Sequence, residues 1–382
     1  MRGVADTDGR VILAVLGLSV AGLTVTSAIA RRGIFVSILS LSVYLVFFTA
    51  SDSLPNDYFV GCATMINLFR MSDLLLLTDT QKDLHRKGEI KDITNEPFFT
   101  RLKWALSLYT SLRGVSWDHE PTSHLPTPIK TTRTKFIIRQ AFTLIRCYLT
   151  FNFGNLLVLL NSSFSENGPP FTAQKWWLRP TVLGQTLQVQ GFLDGMYTMC
   201  SIIGVGLGLS GPTDWPPLFG SWMGAWTVRN YWGRVWHQVL RKFVTGHGTA
   251  FSNALRIPKG RFRSYFSLYV AFTISGLIHY FGDYMIIQDW SGTSLVYFVS
   301  QAVAITCEDA MAGLVRRSEV KVPTAFSRLV GYLWVVAWFS FAIPIWMTPH
   351  VKAGITSDGV SDNNVVPALA REIAARLRLE VR

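Results

Sequence analysis

The chain has 382 residues, of which 49% are hydrophobic and only 16% charged, and its formal net charge is +12. Soluble chains carry about 25% charged residues; here the deficit falls in long apolar runs, which excludes disordered, collagen-like and disulfide-scaffold classes. In a soluble protein the positive charge would point to nucleic acid, but several runs reach the roughly 20 residues that cross a bilayer, so the placement of Lys and Arg carries the meaning.

Eight runs are expected to span, at about 11–30, 33–50, 58–78, 136–160, 188–210, 264–287, 294–314 and 329–348. They predict an all-α, polytopic transmembrane helical bundle of about eight spans, with two cytosolic helical segments. The first run follows Arg2 and Arg10 as a signal peptide's would, but a second span begins after only Arg31, Arg32 and Gly33, so the run is expected to be retained. The chain then divides into spans one to three (1–78), a cytosolic segment (79–135), spans four and five (136–210), a Trp- and Arg-rich segment (211–263), spans six to eight (264–348) and a tail (349–382).

The segments after spans one, three, five and seven hold 24 of the 36 Lys and Arg residues, against nine on the other side. The positive-inside rule makes the richer side cytosolic and leaves both termini extracytoplasmic. Asn161-Ser162-Ser163, the only N-x-S/T sequon, falls on the lumenal side and is expected to be glycosylatable.

Charges inside spans each cost several kcal/mol unless paired or facing a cavity. Arg70 and Asp73 stand three apart on span three and can pair with each other. Arg139 and Arg146 share a face of span four, and Glu308 and Asp309, near the cytosolic end of span seven, are either wet or partners for such arginines. Cys62, Cys147, Cys200 and Cys307 all fall in apolar runs and are expected as buried free thiols. No Cys/His spacing suits a metal. Gly206-x-Gly208-x-x-Gly211 matches a dinucleotide fingerprint only as text, since Pro212, Pro216 and Pro217 follow it; close helix approach explains the glycines better.

In segment 211–263, Trp215, Trp222, Trp226, Trp232 and Trp236 accompany eight basic residues and one acid, Asp214. Within RNYWGRVWHQVLRKF (229–243), Arg229, Trp232, Arg234, Trp236, Arg241 and Lys242 combine stacking faces with fixed charge. That set suits a phosphorylated, adenine-bearing ligand from the cytosol, and equally an interfacial helix on anionic headgroups. Helical spacing puts Arg234 and Arg241 on one face, the preferred phosphate contact.

His279, in ISGLIHYFGDYM, is the one histidine of seven inside an expected span, near or just past the midplane. A neutral imidazole there can take a proton from an alcohol, and Asp283, one turn on, can orient the ring. A histidine packed against a neighbouring helix would leave the same trace. Ser275-Gly276 leaves room for a ligand or for another helix. The tail 365–382 places Leu369, Ile373 and Leu377 on one face, as for a helix lying flat on a membrane or on the protein.

The run WPPLFGSWMGAWTVRNYWGRVWHQVLR, followed by AFTISGLIH and preceded by SLRGVSW at 111–117, resembles the wax-synthase-like branch of the membrane-bound O-acyltransferase family, above all fungal members acting on terpenoids and meroterpenoids. The match covers roughly 100–285. The resemblance implies an O-acyltransferase with an internal chamber within the bilayer, where an acyl group, acetyl in those members, moves from acyl-CoA to a hydroxyl of a hydrophobic alcohol; long-chain wax or sterol ester synthesis is the alternative, and a transporter the competing class. It maps the family's histidine onto His279, as general base, and its second polar position onto His237, which with Trp236 would hold the thioester or its oxyanion. Asp283 comes from helical spacing and not from the family. The six cationic and aromatic residues of 229–242 become acyl-CoA contacts, with acyl-CoA a co-substrate and no permanently bound cofactor. The implied setting is a multi-pass protein of the endoplasmic reticulum whose partners are the bilayer, acyl-CoA and the alcohol, with no nucleic acid.

Overall fold

A computed structural model describes residues 5–355 except 90, 125, 129 and 319–321, and beyond 355 only residues 369, 372, 373 and 376. The amphipathic tail expected at 365–382 therefore lies almost wholly outside the described residues.

All eight expected spans are helical. Helices α1 (Gly9–Thr24), α2 (Ala28–Phe48) and α3 (Leu54–Ser72) come first, and α3 runs on as a π turn at Asp73–Leu77. Short α4 (Thr80–Asp83) and α5 (Phe98–Thr110) precede the pair α6 (Arg133–Leu159) and α7 (Leu183–Gly206). Next, α8 (Val228–Asn230) passes into a second π turn, Tyr231–Val235, followed by α9 (Arg241–Ala254), α10 (Arg261–Ile287), α11 (Ser294–Arg317) and α12 (Thr324–Lys352). The two strands among the described residues, β1 (Ala5–Asp6) and β2 (Thr49–Ala50), form one parallel pair. Caps set the first boundaries: Asp8 accepts from the Arg10 amide to start α1, and Ser27 from Ala30 to start α2.

Among the described residues six helices are long and apolar enough to cross a membrane: α2, α3 with its π turn, α6, α10, α11 and α12. Helix α1 is shorter, at 16 residues, and α7 is diluted by Gln185, Gln188, Gln190 and Asp194. The fold is an all-α, polytopic membrane protein. Because α12 runs to Lys352, buried His350 also lies in a spanning helix, so His279 is not alone there.

By packing, the chain forms two units: residues through Pro121 with Val239–Ala302, and Thr122–Gln238 with residues from Val303. In the first, α1, α2, the end of α3 and α5 share a core of Val15, Leu23, Ile38, Met71, Leu74, Trp104 and Leu108. The cytosolic segment expected after span three thus supplies core residues. Its Arg113-Gly114-x-x-Trp117 element buries Trp117 edge-on to Trp104 at 5.5 Å. Gly114 has φ +65°, and a Cβ there would sit 2.6 Å from the His119 ring, so only glycine fits.

Charge pairing in the first unit differs from the expected Arg70–Asp73 pair. The buried Asp73 carboxylate takes Lys242 Nζ at 2.7 Å, while Arg70 donates to the Leu108 carbonyl at 2.7 Å and lies over the Tyr109 ring. One turn beyond Lys242, a Cβ at Gly246 would lie 2.2 Å from Asp73 Oδ1. A lysine and a glycine on one face of α9 therefore seat it on the end of α3.

In the second unit α6 and α7 approach through glycines: a Cβ at Gly154 would meet the Gly184 carbonyl at 2.6 Å, and one at Gly191 the Cys147 carbonyl at 2.8 Å. Arg146 pairs with Asp194 of α7 at 2.6 Å, not with an acid of α11. Gly206 has nothing near its missing Cβ, and Gly208 has φ +75° while the Leu209 and Ser210 amides return to the Gly204 carbonyl. These glycines end α7 in a left-handed turn; they do not bring helices together. The sequon is corrected too. Asn161 is fully buried, its amide nitrogen donating to Thr181 and its oxygen accepting from the Ser163 amide and Gln174, so the folded protein offers no glycan acceptor there. The cysteines are free, but only Cys62 and Cys147 are buried; Cys200 and Cys307 are exposed.

Candidate active site

His279 stands eight residues before the end of α10, about 12 Å along its axis. The ring is half-buried, lies parallel to Phe298 of α11 at 4.5 Å and 7°, and its Nδ1 is 2.8 Å from the Tyr58 hydroxyl and 3.7 Å from Cys62 Sγ. Helices α3 and α10 come this close because two glycines face each other: a Cβ at Gly61 would lie 2.9 Å from Gly282 Cα, and one at Gly282 would meet Cys62 Sγ at 2.7 Å and the Tyr58 ring at 3.0 Å. The room beside Gly276 is taken by Leu295 of α11, so that glycine serves helix packing.

Asp283 keeps the helical register with His279, but its carboxylate serves α11. Fully buried, it accepts from the Ser294 amide at 2.9 Å and the Ser294 hydroxyl at 2.7 Å, which ties down the start of α11 and, with it, Phe298. The group that meets Nδ1 is a phenol from α3, not the carboxylate one turn away.

A small pocket elsewhere in the first unit has Arg70, His119 and Lys242 among its lining. Burial, then the Lys242 and Arg70 charges, push the His119 imidazole down to about 4 against the pull of Asp118. An unfolded His119 titrates at its ordinary 6.5. Below that pH the unfolded chain therefore binds a proton that the folded one refuses. Stability should thus fall as pH drops from 6.5 to 4, by up to about 3 kcal/mol. Thermal unfolding in detergent across that range, for wild type and His119→Gln, measures it; the variant should lose less.

In the second unit the aromatic segment is a folded element. The Gly220 amide donates to the Val235 carbonyl at 2.8 Å, and a Cβ at Gly220 would overlap the Arg234 carbonyl. Thr227 caps α8, and Glu308 of α11 accepts from the Val228 amide at 2.6 Å, the Arg229 amide at 3.1 Å and the Trp334 indole at 2.7 Å. Asp309 holds the Arg229 guanidinium. Both acids expected near a span end thus clamp this segment. Tyr231 stacks on Trp236 at 5.6 Å and packs on Phe339 of α12 at 4.6 Å, while Trp232 meets Trp236 edge-on. His237 sits between Trp236 and Phe219, at 5.5 and 5.9 Å.

The helical face expected for Arg234 and Arg241 does not form. Arg234 is exposed in the π turn, Trp236 is extended, and Arg241 opens a new helix, so their seven-residue spacing has no common face. Of the four cations, Arg229 and Lys242 already hold carboxylates, and burial lowers the Arg241 pKa. His237 and the aromatic cluster belong to the second unit and His279 with Tyr58 to the first. Among the described residues no group of three His, Cys, Asp or Glu could hold a metal ion. Tyr58, Glu308's capping role and Asp194 escaped the reading of the sequence; only Asp194, an acid inside an apolar run, left a signal there.

Residues 215–300, which contain His237, His279 and Asp283, match the model of the membrane bound O-acyl transferase family. Acetyltransferase ple2 of Rhodocybe pseudopiperita is 33% identical over 93% of this chain and 94% of its own length. Acetyltransferase eriL of Hericium erinaceus is 32% identical over 86% and 87%, and O-mevalon transferase yanI of Aspergillus niger is 28% identical over 88% and 82%. No solved structure matches the chain. With relatives above 30% identity aligned over nearly the whole chain, and with six apolar helices long enough to span a membrane, the protein belongs to the membrane-bound O-acyl transferase family and is a membrane-embedded O-acyltransferase.

Proposed function

We propose that the chain transfers an acetyl group from acetyl-CoA to a hydroxyl of a hydrophobic terpenoid or meroterpenoid alcohol, with His279 as general base, in the endoplasmic reticulum membrane. The observation that carries this reading is the geometry at His279. Its ring is held by Phe298 and by the Tyr58 contact at Nδ1, and Nε2 is proposed as the nitrogen that meets the acceptor alcohol. Nε2 takes the hydroxyl proton as the oxygen attacks the thioester carbonyl. The tetrahedral oxyanion then collapses, the C–S bond breaks, and the imidazolium gives the proton to the departing CoA sulfur, which returns His279 to its neutral form. No acyl-enzyme is needed.

His237, with the Trp236 indole N–H, is proposed as donor toward the thioester oxygen; the motif alone supports this. Arg234 and Arg241 are proposed for the CoA phosphates on the motif alone; Arg229 and Lys242 hold Asp309 and Asp73. Trp232 is proposed to flank the adenine, and Trp236 to do so only if His237 alone serves the thioester oxygen. Asp283 is proposed to act through α11 and not on the ring itself. The acetyl donor is supported by the names of the relatives, two of which are acetyltransferases.

Membranes containing the protein, supplied with acetyl-CoA or palmitoyl-CoA and a panel of terpenoid, sterol and fatty alcohols, test the reading. Acetyl esters of the terpenoid alcohols are expected. Palmitoyl esters alone would place the enzyme among wax or sterol ester synthases instead.

A further inference from the structure

We propose that Tyr58 is the positioning residue of the active site: its phenol oxygen accepts the Nδ1–H of His279 and so fixes the tautomer in which Nε2 is the base. The inference rests on His279 acting as the base. It starts from a property of neutral imidazole, which carries one proton; the nitrogen that holds it donates and the other accepts. If Tyr58 donated to Nδ1, the proton would sit on Nε2, and that nitrogen could not take one from an alcohol. With the Nδ1–H pointing at the Tyr58 oxygen, Nε2 is basic, and the phenol also stabilises the imidazolium formed as the alcohol attacks. The buried carboxylate of a Ser-His-Asp triad does the same work.

Four observations support a built arrangement. The Tyr58 oxygen and His279 Nδ1 are 2.8 Å apart, at the normal hydrogen-bond distance. The residues lie on different helices, 221 positions apart, so no local constraint forces them together. Gly61 and Gly282 remove the two Cβ atoms that would hold α3 off α10, and the Gly282 side lies against the Tyr58 ring itself. Phe298 stacks flat on the imidazole at 4.5 Å, which stops the ring from turning. The other titratable groups near the ring serve less well. Cys62 Sγ is 3.7 Å from Nδ1 and a weak acceptor, and the Asp283 oxygens are engaged by Ser294.

A phenol is a weaker acceptor than a carboxylate, so its removal should cost less than loss of the base. Tyr58→Phe keeps the ring against Gly282 and removes one oxygen. It is expected to lower kcat by about 10- to 100-fold with the KM for acyl-CoA unchanged, and with a thermal midpoint within a few degrees of wild type. A merely structural tyrosine would move stability and KM together. The pair is then tested as a cycle. Because both residues act in one step, Tyr58→Phe combined with His279→Ala should be no slower than His279→Ala alone. Wild-type kcat in Tyr58→Phe while His279→Ala is inactive overturns the positioning role and leaves the base in place. Penalties that multiply in the double variant also overturn it. Full turnover in His279→Ala would remove the base itself, and Tyr58's role with it.

Discussion

His279→Ala should lower turnover by about 10²-fold or more, the range in which a positioned general base contributes. The loss should fall on kcat. Among the neighbours of His279 are a phenol, a thiol and the flat face of Phe298, which are not groups that bind CoA phosphates. The ring is half-buried and its Nδ1 meets the neutral Tyr58 hydroxyl, so the substitution opens a modest cavity without breaking that ring's contact to a charged group. The protein should therefore remain in the membrane at near-normal level. His279→Gln refines the test, since glutamine can hydrogen-bond but cannot take a proton at neutral pH. It should be as slow as alanine. Initial rates at saturating acyl-CoA, normalised to enzyme amount, measure both.

Lys242→Ala should cost about 3–5 kcal/mol of stability, the usual penalty for removing one partner of a buried ion pair. Asp73 is 1% exposed, and Lys242 is its ion-pair partner at 2.7 Å. Taking the lysine away leaves a carboxylate in the core between α3 and α9, where Gly246 presses its backbone against the other oxygen. Removing the acid as well should recover much of the loss, so Lys242→Met with Asp73→Leu is expected to be more stable than Lys242→Met alone. Thermal unfolding in detergent reads both. Normal stability in Lys242→Ala with a raised KM for acyl-CoA would return the lysine to the CoA contacts.

Much of this fold is legible in the sequence because membrane solvent imposes a coarse rule: an apolar run of sufficient length must form a helix, and all eight runs do. What fails is whatever depends on partners across the fold. Arg70 and Asp73 are adjacent on one helix and look self-sufficient, yet a lysine 169 positions from Asp73 offers a better ion pair. Arg146 takes Asp194 because α6 and α7 close through glycines, which no count of charges reveals. Asn161 satisfies a glycosylation pattern as text and a hydrogen-bond network as structure. At the candidate site, the lone position of His279 and the S-G-x-x-H text pointed to the ring, but helical spacing proposed Asp283 as its neighbour. Spacing finds only residues on the same helix, and Tyr58 arrives from another. The uniform helix assumed over 229–242 fails for a related reason: the π turn at Tyr231–Val235 and the extended Trp236 are fixed by Glu308, Gly220 and Gln238, none of which a local period can register.

Direct attack of a hydroxyl on the CoA thioester, with no covalent stop on the protein, is the step on which the proposed function turns. Purified enzyme given acetyl-CoA labelled in the acetyl group, with and without a hydroxylated terpenoid, tests it most directly. Labelled ester and free CoA are expected in equal amounts, formed only when the hydroxyl is present, with no label retained on the protein. Label retained on the protein, with CoA released at the full rate in the absence of any alcohol, would contradict it.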